Sequence, residues 1–186
     1  AGTPVDGFRQ PVRLAALASG LVSPEQWGEA NRNVDFFDVK ADLEALFFPR
    51  VAEFERAVHP ALHPGRSARV LLDGREIGFI GELHPIWVQR YELGLAPVVF
   101  EVELAALLET VTPAYREVSR FPAVTRDLAL VVDQGVAAAG LLKGLEGVAP
   151  AIVQRIELFD QYQGKGIDPN RKSLAFRVVM QETHRT

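Results

Sequence analysis

The side chains best suited to chemistry lie in the last third of the chain, where cations are interleaved with aromatics. Arg120, Phe121 and Arg126 stand close together in EVSRFPAVTRDLALVV (Glu117–Val132). Phe159, Tyr162, Lys165, Lys172 and Arg177 follow in ELFDQYQGKGIDPNRKSLAFRVVMQETHRT (Glu157–Thr186), with Arg171 as a further cation. Phosphates are held by cations that salt can displace, and unpaired bases by stacking on aromatic rings with donors at their edge. These residue types therefore suit a module that grips an anion better than one that breaks bonds. For Arg126 the competing explanation is a structural ion pair with its neighbour Asp127. For Phe121 and Phe159 it is packing in a core.

Other chemistry finds less support. His59 and His63 have the four-residue spacing that lets two imidazoles on a helix chelate zinc, with His84 as a third ligand. Both are followed by proline, which disfavours helix at the residue before it, and no glutamate stands between them as a hydrolytic base. Their expected role is to shape the loop around Gly65. Asp38, Asp42 and Glu44 read as solvated or capping groups. Ser67 and Ser119 lack the His/Asp context of a nucleophile. With no cysteine, disulfides, thiolate catalysis and Cys-ligated zinc are excluded. The phosphate-cradling pattern G-x-x-x-x-G-K does not occur.

The elements that must position these residues can be read from periodicity. Val12–Ala18 suits a buried strand. Asp35 suits the N-cap of a helix through Phe48, in which Phe36, Val39, Leu43 and Leu46 recur at helical spacing until Pro49 stops it. A strand near Val51–Arg56 precedes the loop His59–Ser67, too rich in Pro and Gly for regular structure. Asp73-Gly74 joins Arg69–Leu72 to Glu76–Leu83 as a hairpin, with Gly78 and Gly81 marking close approach or a bulge. Pro85 starts a short helix to Tyr91, and Val98–Val102 and Leu104–Leu108 suit a strand and a helical turn or two. Thr110–Pro122 has the character of a linker.

Beyond the linker, strands are expected at Arg126–Val132, Ile152–Phe159 and Lys172–Gln181. A helix near Val136–Leu145 is weakened by Gly140, Gly144 and Gly147. This order suggests an α+β, ferredoxin-like βαββαβ sandwich lacking its last helix and strand. Alternation puts Leu174, Phe176, Val178 and Met180 on a helix-covered face, and Ser173, Ala175, Arg177 and Val179 on the other. Val153, Arg155, Glu157 and Phe159 are expected to share one face, opposite Ile152, Ile156 and Leu158. An open face bearing Arg, an aromatic and small residues suits RNA, although any half-buried sheet alternates in this way.

The composition suits a protein with a packed core in one large or two small domains, and no run approaches the roughly 18 apolar residues of a membrane span. Net charge is −4, but it is unevenly spread. Residues 1–112 hold 10 Lys/Arg against 16 Asp/Glu, and residues 113–186 hold 10 against 8. The cationic surplus accompanies the C-terminal module. The start at Ala1 and the stop on a strand-like run suggest a piece of a longer polypeptide. Cytoplasm is the default compartment.

Three further runs carry a resemblance: VDFFDVKADLEALF (Val34–Phe47), HPALHPGRSARVLLDGREIGFIGELHP (His59–Pro85) and VVFEVELAALL (Val98–Leu108). With the two C-terminal runs, their order and spacing resemble the β-subunit family of bacterial phenylalanyl-tRNA synthetases. The resemblance implies a class II synthetase-like antiparallel sheet with helices over residues 1–112, without catalytic residues. Over residues 113–186 it implies a ferredoxin-fold anticodon-binding domain that stops before its last helix and strand. FRQP (Phe8–Pro11) lacks the acidic partner, and GFIGELHP (Gly78–Pro85) the arginine, of the class II phosphate-holding motifs. The parent enzyme is an α2β2 ligase that uses ATP and magnesium in its α subunit to attach phenylalanine to its tRNA.

The resemblance therefore implies a non-catalytic role for this stretch: subunit assembly and anticodon stem-loop binding, in the cytoplasm. It implies no cofactor or metal of the stretch's own, since the family's magnesium residues and editing pocket lie upstream, and no membrane or DNA partner. The alternative is a free-standing protein-interaction module without RNA binding. Truncation is expected to leave the C-terminal sheet short of cover, with an open strand edge.

Overall fold

In the computed structural model, which describes residues 4, 7–8, 10–109, 111–113, 115 and 118–182, the first helix begins where its cap predicts. Asp35 precedes α1 (Phe36–Phe47) and accepts from the amides of Phe37 and Asp38 at 2.7 and 3.2 Å. The Asp38 carboxylate accepts in turn from the Asp35 amide at 2.8 Å, completing a capping box. Arg32 adds two 2.7 Å bonds to the same carboxylate. Those bonds, Arg32 first, hold Asp38 down at about 2. Val39, Leu43 and Phe47, four residues apart, form the buried stripe of the helix.

The chain divides into two units, Ala1–Pro113 and Ala114–Thr186. In the first, α1 covers one face of a five-stranded antiparallel sheet. Its strands are β1 (Arg13–Ala18), β2 (Ala52–Arg56), β3 (Leu62–Leu72), β4 (Arg75–Leu83) and β5 (Val98–Glu103), in the order β1-β5-β4-β3-β2. Two short helices, α2 (Pro85–Arg90) and α3 (Leu104–Leu108), follow β4 and β5. Val70, Leu72, Ile80, Val98, Phe100 and Val102 meet the α1 stripe to form the core. The β3–β4 hairpin turns on Asp73 and Gly74, both at positive φ (52° and 75°), as a two-residue primed turn requires.

Two glycines let the sheet close. A Cβ on Gly78 would stand 1.9 Å from the Glu101 carbonyl oxygen, and one on Gly81 2.8 Å from that of Arg66. The ladder slips beside Gly78, where Val70 pairs with Gly78 and Leu71 with Glu76. The expectation of an irregular loop through His59–Ser67 is corrected, because β3 already starts at Leu62. Its pairing with β4 breaks between Leu62 and Ser67, and β2 reaches only as far as Ala68. Pro64 therefore sits in a bulge with no ladder bond to donate.

The second unit contains β6 (Val124–Asp133), α4 (Ala138–Val148), β7 (Val153–Tyr162) and β8 (Arg171–Met180). The strand order is β6-β8-β7, every pair antiparallel, so the last strand lies between the first two. This is the βαββ part of a ferredoxin-like sandwich. Despite its three glycines α4 forms, and it packs against β7. Leu174 and Phe176 are 0% exposed, so the expected shortage of cover does not reach the middle of β8, while Val178 and Met180 are half-buried.

Because Gly78 faces backbone, Gly78→Ala should lower the unfolding free energy by about 3 kcal/mol, the upper end of ordinary overpacking. The urea midpoint should fall at unchanged slope. Asp38 gives a pH signature. Its carboxyl lies below its ordinary 3.8 in the folded chain, so its contribution to stability is present above 3.8 and is lost as pH falls through about 2. Arg32→Gln should move its NMR titration midpoint back towards the ordinary value.

Candidate nucleic-acid interface

The buried residues of β8 decide which way the rest of the C-terminal sheet points. Lys172, Leu174, Phe176, Val178 and Met180 share the face on which the core lies, and Arg171, Ser173, Ala175, Arg177 and Val179 share the other. Cross-strand register extends this division to β6. Arg126, Leu128, Leu130 and Val132 oppose Val178, Phe176, Leu174 and Lys172, whereas Asp127, Ala129, Val131 and Asp133 oppose the open-face set. In β7, Arg155, Glu157, Asp160 and Tyr162 oppose Val179, Arg177, Ala175 and Ser173.

The candidate residues therefore do not form one cluster. Phe159 and Arg177 meet on the open face, and Tyr162 lies on the same face opposite Ser173. Arg126 and Lys172 belong by register to the opposite face, and Lys165 lies in the β7–β8 loop. Arg120 is exposed before β6. Phe121 is half-buried as part of a clasp: its amide donates to Ser119 Oγ at 3.1 Å and its carbonyl accepts from Gln181 Nε2 at 2.6 Å. Arg9 of FRQP lies outside the described residues, as do Glu117 and Thr183–Thr186.

Two bulges interrupt β7, and the first corrects an expected face. The register shifts between Val153 and Arg155, so Val153 opposes Met180 on the core side instead of joining Arg155. A second shift between Leu158 and Asp160 leaves Phe159 as the extra residue. Its ring lies beneath the Arg177 guanidinium, 4.6 Å from the ring centroid, which places it on the open face as expected.

By register the open face carries three cations, Arg155, Arg171 and Arg177, against four carboxylates, Asp127, Asp133, Glu157 and Asp160. Arg177 donates from Nε and Nη2 to the two carboxylate oxygens of Asp127, at 3.0 and 3.1 Å. These bonds depress the Asp127 carboxyl and raise the Arg177 guanidinium. Arg155 pairs with Glu157 at 3.1 Å and Arg171 with Asp133 at 3.5 Å. The structural ion pair with Asp127 that is the competing explanation for Arg126 is thus replaced by Asp127–Arg177. Neighbours on a strand point to opposite faces, so Asp127 reaches across to Arg177 while Arg126 Nη1 donates to the Thr125 carbonyl at 3.0 Å. Sequence reading placed Arg155 on this face without counting it as a candidate; its only signal was the alternation of Arg155 with Glu157.

The β7–β8 loop is held by its own contacts. Tyr162 Oη donates to the Lys165 carbonyl at 3.2 Å, and the Ile167 amide to the Gly164 carbonyl at 3.1 Å. Gly164 and Gly166 have φ of 155° and 94°, and a Cβ on Gly164 would stand 2.9 Å from the Tyr162 hydroxyl. Glycine at these two positions lets the loop turn over the ring and present Lys165 to solvent.

The histidines have structural work. His63 Nδ1 accepts from the Gly65 amide at 3.0 Å, and His59 Nδ1 from Ala61 at 3.3 Å while its ring stacks on Phe79 at 4.2 Å. His84 Nδ1 caps α2 by accepting from Ile86 at 3.2 Å. Among the described residues no group of three or more His, Asp or Glu side chains could hold a metal ion.

Comparison with known proteins agrees with the division into two units. Residues 3–104 match the family model of the phenylalanyl tRNA synthetase beta chain CLM domain, and residues 119–186 that of the ferredoxin-fold anticodon binding domain. The phenylalanine–tRNA ligase beta subunit of Aromatoleum aromaticum is 64% identical over 185 residues, covering 100% of this chain and 23% of the relative. That of Dechloromonas aromatica is 59% identical over 183 residues, covering 98% of this chain and 23% of the relative. The chain spans about a quarter of the length of the curated relatives it matches.

The cross-strand pair is directly testable. Asp127 should titrate below the ordinary carboxylate range in the folded chain, so its contribution to stability is present above that range and lost as pH falls. In Arg177→Gln the midpoint should return to the ordinary range. In Arg126→Gln it should not move, and movement there would mean that the neighbour is the true partner.

Proposed function

The chain belongs to the phenylalanyl-tRNA synthetase β-chain family, and from that premise we propose that it serves phenylalanine–tRNA ligase as a non-catalytic part. Its C-terminal unit docks the anticodon stem-loop of phenylalanine tRNA on the open face of the β6-β8-β7 sheet and on the adjoining Lys165 loop. The observation that carries this reading is the match of residues 119–186 to an anticodon-binding domain. The placing of Phe159, Tyr162 and Arg177 on the one sheet face opposite the buried Leu174 and Phe176 supports it. RNA modules of this kind read splayed, unpaired bases by stacking and edge hydrogen bonds.

The N-terminal unit acts as scaffold, joining the α subunit in an α2β2 assembly in the cytoplasm. An apolar patch at the end of α1 suits such a contact: Leu46, Phe48 and Val51 are exposed there, Phe48 to 79%. Gly78 and Gly81 of GFIGELHP are explained by strand packing without any phosphate. ATP and magnesium, which the whole ligase uses, are assigned to its α subunit. No helix among the described residues is long and apolar enough to cross a membrane.

The test is a salt titration of binding to phenylalanine tRNA and to an unrelated tRNA. Lys165→Ala should weaken binding and reduce the slope of log K against log[salt] by about 0.8, the value of one lost phosphate contact. Lys172→Ala, on the opposite face, should change the slope less. Equal slopes for the Lys165→Ala and unaltered chains would remove the loop from the interface. Absence of any binding to phenylalanine tRNA would leave this chain as scaffold only.

A further inference from the structure

Among the described open-face cations, Arg177 is held from two sides, by Asp127 and by Phe159. Asp127 engages its Nε and Nη2 edge with two hydrogen bonds, and Phe159 supports the guanidinium from below at 4.6 Å. Glu157 stands opposite it across the β7–β8 ladder. The Nη1 edge makes none of these hydrogen bonds. The side chain remains 45% exposed and Phe159 48% exposed. A long, flexible side chain on the surface ordinarily loses rotamer freedom when it binds something. Here that freedom is already restricted before any ligand arrives.

The neighbouring pairs, Arg155 with Glu157 and Arg171 with Asp133, leave this face with no excess of cations. A surface with no surplus of cations attracts phosphate weakly, so long-range attraction has to come from elsewhere, such as the Lys165 loop. What the face offers is planar surface with hydrogen-bond donors at its margin. Guanidinium planes and aromatic rings are the two surfaces on which proteins stack unpaired bases.

We propose that Phe159 and Arg177 form a pre-assembled stacking platform for one unpaired nucleobase, with Asp127 as the residue that holds it flat. This rests on the RNA-binding reading above and adds a division of labour within it. The base stacks on the outer face of the guanidinium, over Phe159, and the Nη1 edge donates to the edge of a base. Asp127 acts through Arg177 and does not itself touch RNA. Binding at the platform is therefore insensitive to salt, whereas binding through Lys165 is sensitive.

The experiment uses the full chain and a stem-loop RNA carrying 2-aminopurine at successive loop positions, with affinity measured across a salt series. Phe159→Leu keeps an apolar side chain but removes the ring, and should weaken binding roughly tenfold at unchanged salt slope. Phe159→Trp should retain affinity. Arg177→Lys keeps the charge but removes the plane and its two-bond pairing, and should weaken binding at unchanged slope. Asp127→Asn should do the same more mildly. One 2-aminopurine position should be quenched by the unaltered chain and released by Phe159→Leu.

Amide spectra of each variant verify that the sheet persists, and Phe159→Trp keeps the test decisive if Phe159→Leu unfolds. Binding that is equal in Phe159→Leu and the unaltered chain would overturn the platform while leaving the RNA-binding reading intact. So would a reduced salt slope in Arg177→Lys. An unaltered chain that binds no RNA, with Lys165→Ala indistinguishable from it, would overturn both.

Discussion

Leu174 and Phe176, wholly buried in the strand that lies between its two neighbours, determine the orientation of the C-terminal sheet. A strand alternates its side chains, and a slip of one residue would bring Arg177 and Ser173 to the core side. Such a slip would bury a charge and expose two large apolar groups, so register is strongly specified. Everything proposed for the other face follows from it. The same strand that anchors the core with one set of residues displays Arg177 with the next, and carries Asp127 and Glu157 into reach through its two ladders.

That constraint also explains why the cations of this module do not act together. Sequence proximity groups Arg171 with Lys172, and Arg126 with Asp127, yet the pleat sends each member of those pairs to a different face. The cations of that surface are offset by carboxylate partners, such as Asp127 for Arg177, fifty positions apart in the chain. A count of positive residues overstates the attraction this face exerts on a polyanion. Its planar groups, fixed by neighbours, carry more of the argument than its charge.

Local chemistry was easy to read and long-range register was not. The Asp35 N-cap and the Asp73-Gly74 turn announce themselves within four residues, and both form as expected. The close approach at Gly78 and Gly81 was legible because a glycine within a strand has few other uses. The start of β3 was missed because Pro64 and Gly65 argue locally against a strand, and only the partner strand reveals that they sit in a bulge. The reassignment of Val153 has the same origin: one extra residue in β7 reverses its face, and nothing in the local sequence marks it. The Arg177–Phe159 stack needed both bulge and register, and so was beyond sequence reading, although each residue had been singled out by type.

The proposed function requires RNA to meet the open face of this sheet. Backbone amide shifts in the C-terminal unit, followed by NMR while phenylalanine tRNA is added, test it most directly. Arg155, Phe159, Tyr162, Ala175 and Arg177 should shift together with the loop around Lys165, while α4 and Leu128 stay still. Shifts concentrated on α4, Arg126 and Lys172, with the open face silent, would contradict it.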